Sequence, residues 1–257
     1  MVPPRAPSSS VRALLAVWRS RAQPGSAERT EGPRASLSPA EWLRVGLLAG
    51  LAAAVVAIVF DLAIAERVVD RAVGLEAHRT GLAVPEPFSR TGQRGGLVVG
   101  ELVLGAGVAF LLAGVATFLG SRARSARRLW LLSTAAAIWG VVLLPAAIYP
   151  PLPPGVTSAL SIHERQGLYV AAVAVGIGGF AAAVHVWSTS WRLRVPLAGS
   201  LALVPAGLAV AFLPDSRADA SAVPAGLLTD FRIVSICSEL VFWTATAAVG
   251  AGLLRGR

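Results

Sequence analysis

The sequence predicts an all-α protein, a polytopic bundle of transmembrane helices, from its composition, the length of its apolar runs and the distribution of its arginines. Of 257 residues, 55% are hydrophobic and only 14% charged, and the mean hydropathy is +0.66. A soluble domain carries about 25% charge, so this chain has too few ionised groups to cover a water-exposed globule. The same composition excludes a disordered, collagen-like or disulfide-stapled chain, and the single cysteine has no partner within it.

Six stretches are long enough to cross a hydrocarbon core of about 30 Å at 1.5 Å per residue: 45–65, 96–120, 129–149, 167–187, 195–213 and 233–254. Their apolar residues run unbroken rather than alternating, which argues against barrel strands. Glycine and proline inside them are compatible with helices buried among other helices. The spans are read as three helical hairpins forming one domain over 43–257. The first 42 residues, rich in Pro, Ser and Arg, are expected to be a disordered basic cytoplasmic tail, with no cleavable secretory signal.

Orientation follows from charge. All 23 basic residues are arginine. Seven lie in the first 44 positions, four at 121–128, two at Arg192 and Arg194, and two at Arg255 and Arg257. The remaining loops mix arginines with acids in equal number. The positive-inside rule therefore predicts both termini in the cytoplasm of a multi-pass plasma-membrane protein. The net charge of +9 is explained by topology and the lipid bilayer, without nucleic acid.

Loops on the predicted inner side are short. Those on the outer side, 66–95, 150–166 and 214–232, are longer, and Arg94, Arg165 and Arg232 each stand just before or at the start of the returning apolar run. A charged group at the centre of a span costs about 2.5 kcal/mol or more. Three carboxylates incur that cost, at Asp61, Glu101 and Glu239. Counted from the outer ends of their spans, all three lie at one depth, as expected for the lining of a cation entry. Arg94 and Glu101 are seven residues apart, as are Arg232 and Glu239, so each pair shares a helix face. Ser235 and Thr246 extend that face on the sixth span. The competing reading makes Glu101 and Glu239 structural ion-pair partners of arginines. Just beyond the first span, Glu66 and Asp70 sit one turn apart on a continuing helix. Like charges at that spacing repel unless a cation, Arg67 or Arg71 relieves them.

Other ligand-type residues are sparse. His78 and His163 lie in outer loops, His185 near the inner end of a span, and Cys237 on a different face from Glu239. Glu239, Glu101, Asp61 and His163 are the metal-ligand candidates. No phosphate loop, zinc-type cluster, nucleophile–base set or dinucleotide fingerprint occurs, so no catalytic residue is assigned and the chain is not expected to be an enzyme or to bind a cofactor.

Several segments then resemble a known family. Gly46-Leu-Leu-Ala-Gly50-Leu leads into Glu66-Arg-Val-Val-Asp70-Arg-Ala-Val-Gly-Leu-Glu76. The third span ends in Leu143-Leu-Pro-Ala-Ala-Ile-Tyr149-Pro150-Pro-Leu-Pro-Pro154-Gly155, and Arg165 precedes Leu168-Tyr169. The last span opens with Asp230-Phe-Arg232 and continues to Glu239-Leu-Val-Phe-Trp243. Their order and spacing resemble the CbtA family of cobalt transporter subunits over 43–254. The resemblance implies a membrane permease for a divalent cation, cobalt, linked to cobalamin supply. It also implies a small single-span partner with a His-rich end, beside which a homo-oligomer stays open. By motif position it singles out Glu66, Asp70, Tyr149, Pro150, Pro154, Arg165 and Arg232. A non-transporting membrane scaffold, with its carboxylates in structural ion pairs, is the alternative.

Overall fold

The computed structural model describes residues 37–80, 89–121, 123, 125–154, 156, 160–189, 194–212 and 223–257. The predicted tail, apart from its last residues, lies outside them. Every regular element among the described residues is helical. In chain order they are α1 (Pro39–Phe60), a π-helical turn (Asp61–Ala65), α2 (Glu66–Thr80), α3 (Arg90–Gly120), α4 (Ala126–Ala137), a second π-helical stretch (Ile138–Leu143), α5 (Leu144–Ile148), α6 (Ile162–Thr189), α7 (Arg194–Phe212) and α8 (Ala225–Leu253).

Five helical rods are long and apolar enough to cross a membrane: 39–75, 90–120, 126–148, 162–187 and 225–253. The fifth predicted span is α7, whose shorter apolar part covers Ala198–Ala209 and which carries Pro205 inside it. The first rod begins at Pro39, four residues inside the segment read from sequence as tail. It starts there because Ser38 and Glu41 form a reciprocal capping box with Pro39 at the first helical position. Serine caps recur at Ser89, Ser125 and Ser161, where side-chain oxygens accept the otherwise orphaned backbone N–H groups of Gly92, Arg128 and Glu164.

Small residues decide the packing. Where α1 crosses α3, a Cβ added at Gly46 would lie 2.7 Å from the Ala109 carbonyl oxygen, and Gly50 and Gly105 face each other backbone to backbone. Ala49, Ala53, Ala57, Ala109, Ala113 and Ala116 continue the seam and are buried. In lipid no hydrophobic force drives helices together, so close backbone approach supplies the attraction instead. Gly140 and Gly176 make the same kind of crossing between the second π-helical stretch and α6, and Gly179 makes it between α6 and α7.

The helices fall into two groups. α1, α3, α4 and α8 share one core around Trp42, Trp130, Phe242 and Trp243. α5, α6 and α7 meet in a smaller one around Leu144, Ile148, Ala172, Ala206 and Ala209. α1 packs along α3, and the second π-helical stretch and α5 pack against α6. The third hairpin does not hold among the described residues: α8 packs on α1 and α4, whereas α7 packs on α6. Trp130 explains the exchange. Its indole fills the space over Gly250, and its Nε1 donates to the Thr246 carbonyl oxygen at 3.1 Å, locking α4 to α8.

Candidate cation pathway

The π-helical turn begins at Asp61, which is buried although ionisable, with a relative exposure of 6%. One extra residue in the turn redirects the side chains that follow, a device common at functional positions. Ser238 on α8 donates its hydroxyl to Asp61 Oδ1 at 2.6 Å. Sequence reading overlooked Ser238. The signal was present, since it stands on α8 immediately before Glu239.

Glu101 on α3 and Glu239 on α8 converge on the same level. Each lies within electrostatic reach of Asp61, and Glu101 within reach of Glu239. Glu239 also faces Tyr169 electrostatically, and the Tyr169 hydroxyl donates to the Val141 carbonyl oxygen at 2.9 Å. Among the described residues none of the three carboxylates forms an ion pair with an arginine. The seven-residue spacing therefore produces neither an Arg94–Glu101 nor an Arg232–Glu239 pair among the described residues. Arg94 turns outward to Glu66, and the Nε of Arg232 is buried without a hydrogen-bond partner.

The expected polar stripe on α8 also divides. Ser235 lines a cavity. Thr246 is fully buried and returns its hydroxyl to the Phe242 carbonyl of its own helix at 2.9 Å, so it is a packing residue.

Above this level the charges are paired. Glu66 bonds Arg94, and Asp70 bonds Arg90, both across to α3. Arg71 reaches Asp230 on α8 at 3.0 Å. The like-charge strain between Glu66 and Asp70 is thus relieved by α3 rather than by the neighbouring arginines of their own helix. Arg90 had not been singled out from sequence, because only the tertiary structure brings the start of α3 to α2.

Between these two layers lies a partly open cavity of about 360 Å³, bounded by the π-helical turn, α2, α3 and α8. Asp61, Ser235 and Ser238 supply its inner oxygens, and Glu66, Arg90, Gln93 and Arg94 its outer polar groups. Apolar walls come from Leu62, Val68, Leu97, Phe231 and Val234, among others. Among the described residues no three His, Cys, Asp or Glu side chains come together as a chelating set. The predicted ligands Asp61, Glu101, Glu239 and His163 accordingly do not form one closed metal centre. His163 stands exposed in the first turn of α6.

The remaining motif residues are structural in placement. Tyr149 ends α5, with its N–H on the Pro145 carbonyl, and packs beside the smaller core. Pro150 follows half-buried, Pro154 sits exposed in a turn, and Arg165 is exposed at the start of α6. The matched arginines Arg94, Arg165 and Arg232 thus occupy three different environments.

A bundle of apolar helices long enough to cross a membrane, with ionisable side chains on the spans themselves, defines by class a multi-pass membrane protein. The chain matches the family model described as "Probable cobalt transporter subunit (CbtA)" over residues 40–255, and it belongs to that family. No curated protein and no solved structure matches it.

Proposed function

We propose that this chain is the permease subunit through which a divalent cation, cobalt, enters the cell, with both termini cytoplasmic in a bacterial plasma membrane. The observation that carries the reading is the set of Asp61, Glu101 and Glu239, three helical rods contributing one carboxylate each that has no arginine partner among the described residues. Three such charges have no packing value in a bilayer core, and their cost argues for a cation to meet them. The residues pass an ion along rather than holding it, since oxygen donors suit Co²⁺ without binding it as tightly as thiolates. The scaffold reading needs arginine partners for the same carboxylates. The word subunit in the family description fits a second component, here a small single-span protein with a His-rich end. A link to cobalamin supply follows the same resemblance.

The test is uptake of radioactive Co²⁺ by cells expressing the chain, with and without that partner. Asp61→Asn, Glu101→Gln and Glu239→Gln should each accumulate normally in the membrane and lower uptake, most strongly in combination. Normal uptake by the triple variant at normal protein level would remove the carboxylates from the pathway. Restoration of cobalamin-dependent growth at limiting cobalt should follow expression if the metal serves that supply.

A further inference from the structure

The cavity has an inner and an outer end, because its walls run in alternating directions. On the first rod the lining passes from Asp61 outward through Glu66 to Val69, on α3 inward from Arg90 through Arg94 to Leu97, and on α8 inward from Phe231 through Ser235 to Ser238. Glu66 and Asp70 are four residues apart on α2, and Arg90 and Arg94 four apart on α3. Arg90–Asp70 and Arg94–Glu66 therefore form two rungs, one helical turn apart, across the outer end.

The helix that supplies the arginines is soft at that end. Gly95, Gly96 and Gly100 lie in its first three turns, and a Cβ on any of them would meet nothing within 4 Å. They serve no close crossing, unlike Gly46, Gly50 and Gly105. What they do is lower the helix propensity of the segment carrying Arg90 and Arg94. α2 also meets α8 through Arg71–Asp230, a pair at least as exposed as the rungs. The softer wall is therefore the glycine-rich start of α3.

We propose that the two rungs are the outer gate of the cavity, and that a divalent cation opens it by replacing the guanidinium groups at Glu66 and Asp70. The inference rests on the permease reading for its direction, from the outside towards Asp61. Guanidinium and cation compete for the same carboxylate oxygens. A cation that binds them only when the rungs are apart shifts the population towards the open form. The two rungs differ in solvation: Arg90 and Asp70 are 36% and 47% exposed, Arg94 and Glu66 55% and 16%, so the more screened Arg90–Asp70 rung exchanges first.

Access to Ser235 reports the gate without requiring transport. In a Cys237→Ser background, Ser235→Cys should react slowly with a membrane-impermeant thiol reagent added outside, and severalfold faster once millimolar Co²⁺ is present. Arg90→Gln with Arg94→Gln should react fast with or without the metal. Glu66→Gln with Asp70→Asn should lose the metal dependence, and exchanging all four charges across the rungs should restore slow labelling in metal-free buffer. Gly95→Ala with Gly96→Ala should blunt the response to Co²⁺. A labelling rate that ignores Co²⁺ in the chain with intact rungs overturns the proposal, whether or not the arginine variants accumulate. Metal-dependent labelling in a chain that moves no cobalt would keep the gate and remove the permease reading. Cobalt uptake with metal-independent labelling would do the reverse.

Discussion

Asp61 is the most deeply enclosed charge described in the protein, and its one direct partner is a hydroxyl. A hydrogen bond to a charged group contributes about 1.5–3 kcal/mol, and leaving the acceptor unmet is the larger part of the loss. Ser238→Ala should therefore lower the melting temperature of the detergent-purified protein by several degrees, while Asp61→Asn, whose amide oxygen still accepts from Ser238, should lower it less. In the double variant the second change should cost less than it does alone, because the two groups serve one contact. Equal and additive shifts would mean that the serine acts on something other than Asp61. Charge at Glu66 and Asp70 behaves differently, since each has a guanidinium partner in reach of solvent. Combining Glu66→Gln with Asp70→Asn should reduce uptake at limiting metal and spare it at saturating metal. Loss at both concentrations would place the effect in folding.

Helices in this bundle are held where backbones touch. Gly50→Ala would press a methyl group into the backbone of Gly105 across the α1–α3 crossing. Overpacking of this kind costs about 1–3 kcal/mol, and neither backbone can retreat without parting the seam of buried alanines. Gly50→Ala should deplete the protein from the membrane, as should Gly105→Ala, whereas Gly100→Ala, which meets nothing, should accumulate normally. Quantitative blotting of membrane fractions separates the two outcomes, and equal levels for all three would remove the crossing from the account. The two π-helical segments are the other departure from uniform helix. One presents Asp61 to Ser238, and the other leaves the Val141 carbonyl oxygen for the Tyr169 hydroxyl, so each coincides with a contact between helices.

At the scale of the molecule, the chain ends meet the inner connections. Arg257 reaches Glu41 at 3.2 Å, its carbonyl oxygen lies 3.4 Å from the Ser125 hydroxyl, and Trp42 covers Gly120. The beginning of α1, the α3–α4 connection and the C-terminus therefore form one end of the bundle, and the ion pairs of Glu66, Asp70 and Asp230 lie towards the other. The arginine-rich connection at 121–128 belongs to the first end, which the positive-inside rule predicts to be the cytoplasmic one. Tags at both termini should be protected in intact cells, and in a Cys237→Ser background a cysteine at Ser161 should label from outside while one at Ser125 should not. External labelling at Ser125 would invert the molecule and carry the carboxylates to the inner half of the membrane.

What the sequence determined by itself was whatever depends on transfer into lipid. Unbroken apolar runs of 19 residues or more have few options but helix, since lipid offers their backbone groups no partner. The arginine distribution carried the predicted orientation, and the cost of burial made Asp61, Glu101 and Glu239 visible as exceptions. Helical periodicity also carried the first rod past the predicted membrane edge into α2. The tertiary structure decided which helices meet. Spans five and six are neighbours in sequence, yet α8 joins α1 and α4 because Gly250 admits Trp130 and α1 is lined with alanine. It also decided which arginine answers which acid. Intrahelical spacing offered Glu101 to Arg94 and Glu239 to Arg232, but side-chain partners depend on the helix opposite. Arg94 and Arg90 went to Glu66 and Asp70, leaving three carboxylates to converge without them.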